Sequence, residues 1–189
     1  MIFISIIIYL LTAIVIAVFV FTCMWAFSFV GKGTPFIRTP NKVLPYVDKG
    51  LELVDGSIVY DLGSGDGRIL FYLKDKHPKV EFVGIEKKMF PFMISVFRNF
   101  IRKVGGRGTI KLIKKDFFDY DLSNATHLVM YIYPNDMDDI LTKFDKEIKA
   151  GVRMVSVSFK FTNKKPKAEI DLERDGKYQN ARHLYLYDF

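Results

Sequence analysis

Three glycines at alternate positions, Gly63, Gly65 and Gly67, follow an acid, Asp61, and have Ser64 and Asp66 between them. Ile58, Val59 and Tyr60 lead into the acid as a strand, and Ile69, Leu70, Phe71 and Leu73 beyond Arg68 recur at helical spacing. Glycine is needed where a chain must turn through positive φ or let a ligand touch its backbone, and a helix start just beyond offers N–H groups. Such a strand, turn and helix can hold a cofactor. A second acid, Glu86, closes the strand pattern Val80–Ile85, 25 residues after Asp61. At the carboxyl end of a strand in a doubly wound sheet, a carboxylate can accept hydrogen bonds from a ribose diol. The dinucleotide fingerprint places its third glycine one residue later, where Arg68 stands, so the spacing argues against a nicotinamide cofactor.

The elements that must position these residues are legible as periodicities. A helix is expected over about 40–53, packed beside the first strand, with Thr39 as N-cap and a bend at Pro45. After the glycine turn a short helix runs from Arg68 to Lys76 and stops at His77-Pro78, and the second strand ends on Glu86. Residues 90–103 read as a helix whose Phe92, Val96 and Phe100 repeat at four-residue steps, a pattern expected of core packing. Further strands are expected over 109–114, 125–133 and 153–159, with a helix over 136–149 capped by Asn135. A hairpin is expected from 168–172 and 183–187. Between the fifth strand and that hairpin only 160–166 remains, too short for another helix.

The chain has 189 residues, 50% of them hydrophobic, and that excess is concentrated at one end. No charged side chain occurs before Lys32, and Ile2–Val30 is almost wholly apolar. At ~1.5 Å per residue this run exceeds the ~30 Å hydrocarbon core of a bilayer, which predicts one transmembrane helix. A cleavable signal peptide would carry a charged start, a shorter apolar core and a small-residue cleavage site. Lys32, Arg38, Lys42 and Lys49 all follow the run, so the positive-inside rule places the rest of the chain on the cytoplasmic side of a single-pass anchor. Gly31–Pro35 reads as the linker between the two. The lone cysteine, Cys23, allows neither an internal disulfide nor a cysteine-rich metal site, and no metal is expected. A net charge of +7 suits anionic headgroups or an acidic partner; the lysines are scattered and no aromatic-basic RNA motif is present, which argues against nucleic acid.

The sequence from Asp61 through Gly67, followed by Glu86, resembles motifs I and II of the class I (seven-strand) S-adenosylmethionine-dependent methyltransferases. The resemblance implies an α/β, Rossmann-like seven-strand sheet with a C-terminal antiparallel hairpin, here preceded by one N-terminal transmembrane helix. It implies S-adenosyl-L-methionine as cofactor, held by Asp61, Gly63, Ser64, Gly65, Asp66, Gly67 and Glu86, with Asp116 and Phe117 at the adenine. Tyr131 and Tyr133 fall where many members face the methyl acceptor, and Asp66 is a further neighbour for it. The hydrophobic segment, the stretch Pro35-Phe36-Ile37-Arg38-Thr39-Pro40 and the motif Asp-Leu-Gly-Ser-Gly-Asp-Gly-Arg together look like a narrower branch. That branch contains the ATP synthase c-subunit lysine methyltransferase and its relative acting on the adenine nucleotide translocase.

The expected organisation is therefore an anchor over 1–31 and a methyltransferase domain over 32–189, acting on a lysine of a membrane protein. Residues 130–135 lack the Asn-Pro-Pro-Tyr motif of several amino-group methyltransferases, which leaves the acceptor open. Alternatives are a methyltransferase for a small or lipid-soluble molecule and a catalytically silent anchored scaffold. Retention of Asp61, the glycines and Glu86 argues against the scaffold.

Overall fold

The computed structural model describes residues 2–27, 36–172 and 181–189, which fall in two compact units, Met1–Pro35 and Phe36–Phe189. The expected linker at 31–35 lies outside the described residues. In the first unit, α1 (Ile2–Phe27) is apolar all round, and its large side chains from Phe3 to Phe21 are exposed. Its segment Phe3–Cys23, of mean hydropathy 3.0, is long and apolar enough to cross a bilayer.

The second unit is built on a seven-stranded sheet: β1 (Ile58–Leu62), β2 (Glu81–Glu86), β3 (Lys111–Lys114), β4 (His127–Met130), β5 (Arg153–Val157), β6 (Ala168–Asp171) and β7 (His183–Asp188). Its order is β3-β2-β1-β4-β5-β7-β6. The first five strands are parallel, and β7 inserts antiparallel between β5 and β6. In the central register Asp61 lies opposite Gly84 of β2 and Val129 of β4. The central strands carry apolar residues on both faces because each face is covered. One core layer joins Val47, Leu51, Leu70 and Leu73 to Val59, Phe82 and Val155; the other joins Leu62, Ile85 and Met130 to Met137, Ile140 and Phe144. The helices are α2 (Leu44–Leu51), α3 (Arg68–Lys76), α4 (Met89–Val104) and α5 (Pro134–Glu147).

Several expectations are corrected. The helix expected over 40–53 is a 3-10 turn, Asn41–Val43, followed by the shorter α2. Thr39 does not cap it, and Pro45 stands in its first turn instead of bending it, since a proline there forfeits only an N–H that has no helical partner. Its tightest contacts are with β5 and β7 and not beside β1: a Cβ at Gly50 would lie 2.9 Å from Leu186 and 3.1 Å from Val155. The fourth strand stops at Met130, and α5 begins at Pro134 with Tyr133 as its cap, so Asn135 is already inside the helix. The aromatic repeat of α4 does not pack the core. Val96 and Phe100 are exposed, and among the described residues neither core layer takes a side chain from this helix. No helix occurs over 158–167, as the short interval required.

The Gly50 contact makes a stability prediction. Gly50→Val should overpack the α2 interface and lower the unfolding free energy by about 1–3 kcal/mol. Thermal melting followed by circular dichroism would read this as a lower Tm, and an unchanged Tm would show that α2 can lift from β5 without cost.

Candidate active site

All three glycines of the turn have positive φ: 79° at Gly63, 56° at Gly65 and 74° at Gly67. This backbone carries the chain from β1 into α3 within five residues, and L side chains are strained there. Space is also short. A Cβ at Gly65 would run into the ring of Phe36, which lies over the loop, and one at Gly67 would meet Phe71 at 2.7 Å.

The loop's N–H groups point at protein acceptors. Gly63 and Ser64 donate to the Ile85 carbonyl at 2.9 and 3.0 Å, Gly65 to Glu86 Oε2 at 2.8 Å, Gly67 to the Ser64 carbonyl at 2.9 Å, and Arg68 to Asp66 Oδ1 at 3.3 Å. A dinucleotide-binding turn keeps such donors for a pyrophosphate. Here they are engaged, and three carboxyl groups stand beside them. Asp61, Asp66 and Glu86 are all buried at the ends of β1 and β2. Those donors are therefore not free for a pyrophosphate.

Each carboxylate has a different environment. Glu86 bridges two elements, because its other oxygen accepts from the Lys88 N–H at 2.6 Å at the start of α4. Burial raises its pKa, while the Lys88 and Gly65 amides and the Lys88 and Lys114 charges pull it back. Asp66, given in sequence to the cofactor or the acceptor, is ion-paired with Arg98 of α4 at 2.8 Å, Arg38 at 3.1 Å and Arg68 at 3.9 Å. Among the described residues no cation is paired with Asp61, and its Oδ2 is buried without a hydrogen-bond partner. Burial first, then repulsion from Glu86 and Asp66, holds its carboxyl well above the usual range. Ser64 Oγ is likewise buried and unpartnered. A buried polar atom left without a partner costs free energy, so these two atoms mark where a ligand with a cationic or donor group would fit.

The remaining sequence candidates lie at neighbouring strand ends. Asp116 caps a 3-10 turn (Phe117–Asp119) by accepting from the Phe118 N–H at 3.1 Å, and its other oxygen meets Lys87 at 2.6 Å. Phe117 is half-buried with its ring 4.7 Å from Phe118. Tyr131 and Tyr133, past the end of β4, both stack on Phe159, at 6.2 and 5.7 Å between ring centres. Burial pushes the Tyr131 hydroxyl above its ordinary pKa, against a hydrogen bond with Ser158 that lowers it. The tyrosine is therefore neutral at neutral pH. Sequence reasoning missed Ser158, which follows β5 with a φ of 69°, a conformation rare for serine and found where backbone strain is held by its surroundings. Phe159, Phe36, Arg38 and Arg98 were missed too. The aromatic and basic spacing in Phe36-Ile37-Arg38 was visible, but their targets are distant in sequence.

Across known proteins, residues 61–168 match the ANTKMT methyltransferase domain. The chain belongs to that family. It is an S-adenosylmethionine-dependent methyltransferase, and the unpaired Asp61 in an acidic pocket fits a cofactor whose sulfonium and ammonium groups are both positive. The chain is 31% identical over 155 residues to a protein-lysine N-methyltransferase of Saccharolobus islandicus (strain REY15A), covering 80% of this chain and 92% of that one. It is 26% identical over 132 residues to the human ATP synthase c-subunit lysine N-methyltransferase, of which the match covers 54%, so the chain spans only about half of that relative. In fold it is similar to an RNA methyltransferase from Salinibacter ruber solved with S-adenosyl-L-homocysteine, with a TM-score of 0.70 at 24% identity over 80% of this chain and 93% of that one. The C-terminal domain of precorrin-6Y C5,15-methyltransferase from Rhodobacter capsulatus aligns with a TM-score of 0.60 at 12% identity over 80% and 91%.

Asp61 gives this methyltransferase a pH signature. Its folded carboxyl keeps a proton that the unfolded chain, near its ordinary pKa of about 3.9, gives up. Stability without cofactor should therefore fall as pH rises from that value to the elevated folded one. Asp61→Asn should flatten this part of the urea-midpoint profile while abolishing cofactor binding. An unaltered slope in the variant would assign the pH dependence to another group.

Proposed function

We propose that this methyltransferase transfers methyl groups to a lysine side chain of a membrane protein, with α1 as a single-pass anchor and the catalytic unit on the cytoplasmic side. The observation that carries the lysine acceptor is the 31% identity, over most of both chains, to a protein-lysine N-methyltransferase. The apolar length of α1 supports the anchor, and the four basic residues from Lys32 to Lys49 support its orientation. An anchor over 1–31 and a catalytic domain over 32–189 is the organisation this implies.

In this reading Asp61, Gly63, Ser64, Gly65 and Gly67 hold the amino-acid part of S-adenosylmethionine, and Glu86 holds its ribose. Asp116 and Phe117 border the adenine, and Asp66 acts on the cofactor indirectly, by fixing the loop through its arginines. The cofactor supplies a methyl group on a sulfonium, ready for in-line displacement by an amine. The chain's own residues have to align that amine, keep it neutral and exclude water. Tyr131, Tyr133 and Phe159 make an aromatic wall suited to a lysine's aliphatic stem, and burial beside positive charge favours the neutral amine. A raised Tyr131 pKa makes this residue a positioning group and not a base.

Incubating the full chain with membranes and methyl-labelled S-adenosylmethionine should place label in a protein band, on lysine after hydrolysis. Label confined to extractable lipid would overturn the protein acceptor. Glu86→Gln, which keeps a carbonyl acceptor but loses the charge, should weaken cofactor binding by about 1.5–3 kcal/mol in calorimetry. Tyr131→Phe should leave cofactor affinity intact and lower kcat, and a change in affinity alone would move Tyr131 from the acceptor side to the cofactor side.

A further inference from the structure

Helix α4 is built inside out. Its buried positions are Pro91, Ser95 and Arg102, whereas Met93, Phe97, Phe100, Ile101 and Val104 are exposed, Phe97 by 64%, Phe100 by 60% and Val104 by 72%. With Met89 and Val96 these positions form one continuous apolar stripe along 16 residues, about 24 Å of helix. Isolated exposed apolar side chains need no explanation, but a contiguous stripe of this length marks a surface that is covered in use.

The charge around the stripe identifies what covers it. From Lys87 to Lys115 the chain has nine Lys or Arg and no Asp or Glu, while the rest carries 19 basic against 21 acidic residues. The chain's excess of basic residues is thus concentrated in this segment, where Lys87, Arg98, Arg102 and Arg107 are paired with Asp116, Asp66 and Asp75. The side chains of Lys103, Lys111, Lys114 and Lys115 are exposed on the helix and its flank. Apolar side chains bordered by cations are the pattern of a helix lying in the interface of an anionic bilayer, with its stripe among the acyl chains and its cations at the phosphates. A second copy fits poorly, since a two-fold contact through this face would bring the two basic segments together.

We propose that α4 docks flat on the anionic lipid surface as a second, peripheral contact. The proposal rests on the reading of α1 as an anchor, which holds the catalytic unit at that surface. Docking also affects the active site. Lys88 at the start of α4 donates to Glu86, and Arg98 in its middle pairs with Asp66, so the helix that meets lipid also braces the glycine loop.

The test uses the full chain in vesicles of phosphatidylcholine with and without phosphatidylglycerol, with Cys23→Ser and one nitroxide on a cysteine replacing Phe97 or Phe100. A label at exposed Asp145 on α5 serves as control. With phosphatidylglycerol present, labels at 97 and 100 should be reached by oxygen and shielded from an aqueous nickel chelate, and the label at 145 should show the reverse. Phe97→Glu with Phe100→Glu should return a label at Val104 to the aqueous pattern. Labels at 97 and 100 open to nickel on a chain that resists carbonate extraction would overturn docking and leave the anchor standing. Oxygen-accessible labels on a chain that carbonate removes would uphold docking and overturn the anchor. Shielding from both relaxants would reveal a protein partner on this face and overturn the proposal.

Discussion

The glycine turn depends on one buried carboxylate that belongs to another strand. Glu86 accepts from Gly65 in the loop and from Lys88 at the start of α4, so one side chain fixes the turn after β1 and the helix after β2. Without it, the buried Gly65 N–H would lose its acceptor, at a cost of about 1–3 kcal/mol, and the part-buried Lys88 N–H would lose its own. The bridge also sets the electrostatics. Burial first, and then the carboxylate fixed at the end of β2, raises Asp61 on β1, so a cationic group brought beside Asp61 would favour its charged form.

Asp66 ties three further pieces to the same place. Arg38 comes from the segment that follows the N-terminal unit, Arg68 begins α3, and Arg98 belongs to α4. With the Asp66 side chain almost wholly buried, each of these charge-assisted contacts is shielded from water more than a surface pair would be. The glycine loop is consequently braced by the segment that carries Arg38 and by the helix with the exposed apolar face.

How much of this was legible in sequence follows from the range of the forces involved. The turn could be read because positive φ demands glycine locally, and Arg68–Lys76 could be read because its apolar spacing and the stop at His77-Pro78 are both local. The sheet and its late hairpin followed from the order of strand and helix patterns. Arg38 and Arg98 were hidden because both are far from Asp66 in sequence, Arg98 by 32 residues, and nothing in their spacing names a target. Ser158 was hidden because its positive φ is imposed by the end of β5 and its hydrogen bond to His183, and serine carries no signal for it. Helix α4 was misread for a different reason: periodicity reports that a helix has an apolar face but not which way the face turns.

The orientation of α4 follows from what its inner face must do. Arg102 is buried there with its guanidinium on Asp75 of α3 and its Nε donating to the Gly108 carbonyl, and Asn99 makes reciprocal hydrogen bonds with the backbone of Ile110. These contacts join α4 to α3 and to the start of β3 through polar groups, where most helices of such a layer would use leucines. Because burying a guanidinium is expensive unless it is paired, breaking this arrangement to turn the apolar stripe inward would leave Arg102 without its carboxylate. Rotating the helix is therefore opposed by its own anchoring bonds. The stripe is held outward by the same contacts that keep Arg98 on Asp66, so the face this enzyme presents to its surroundings and the bracing of its glycine loop are set by a single helix orientation.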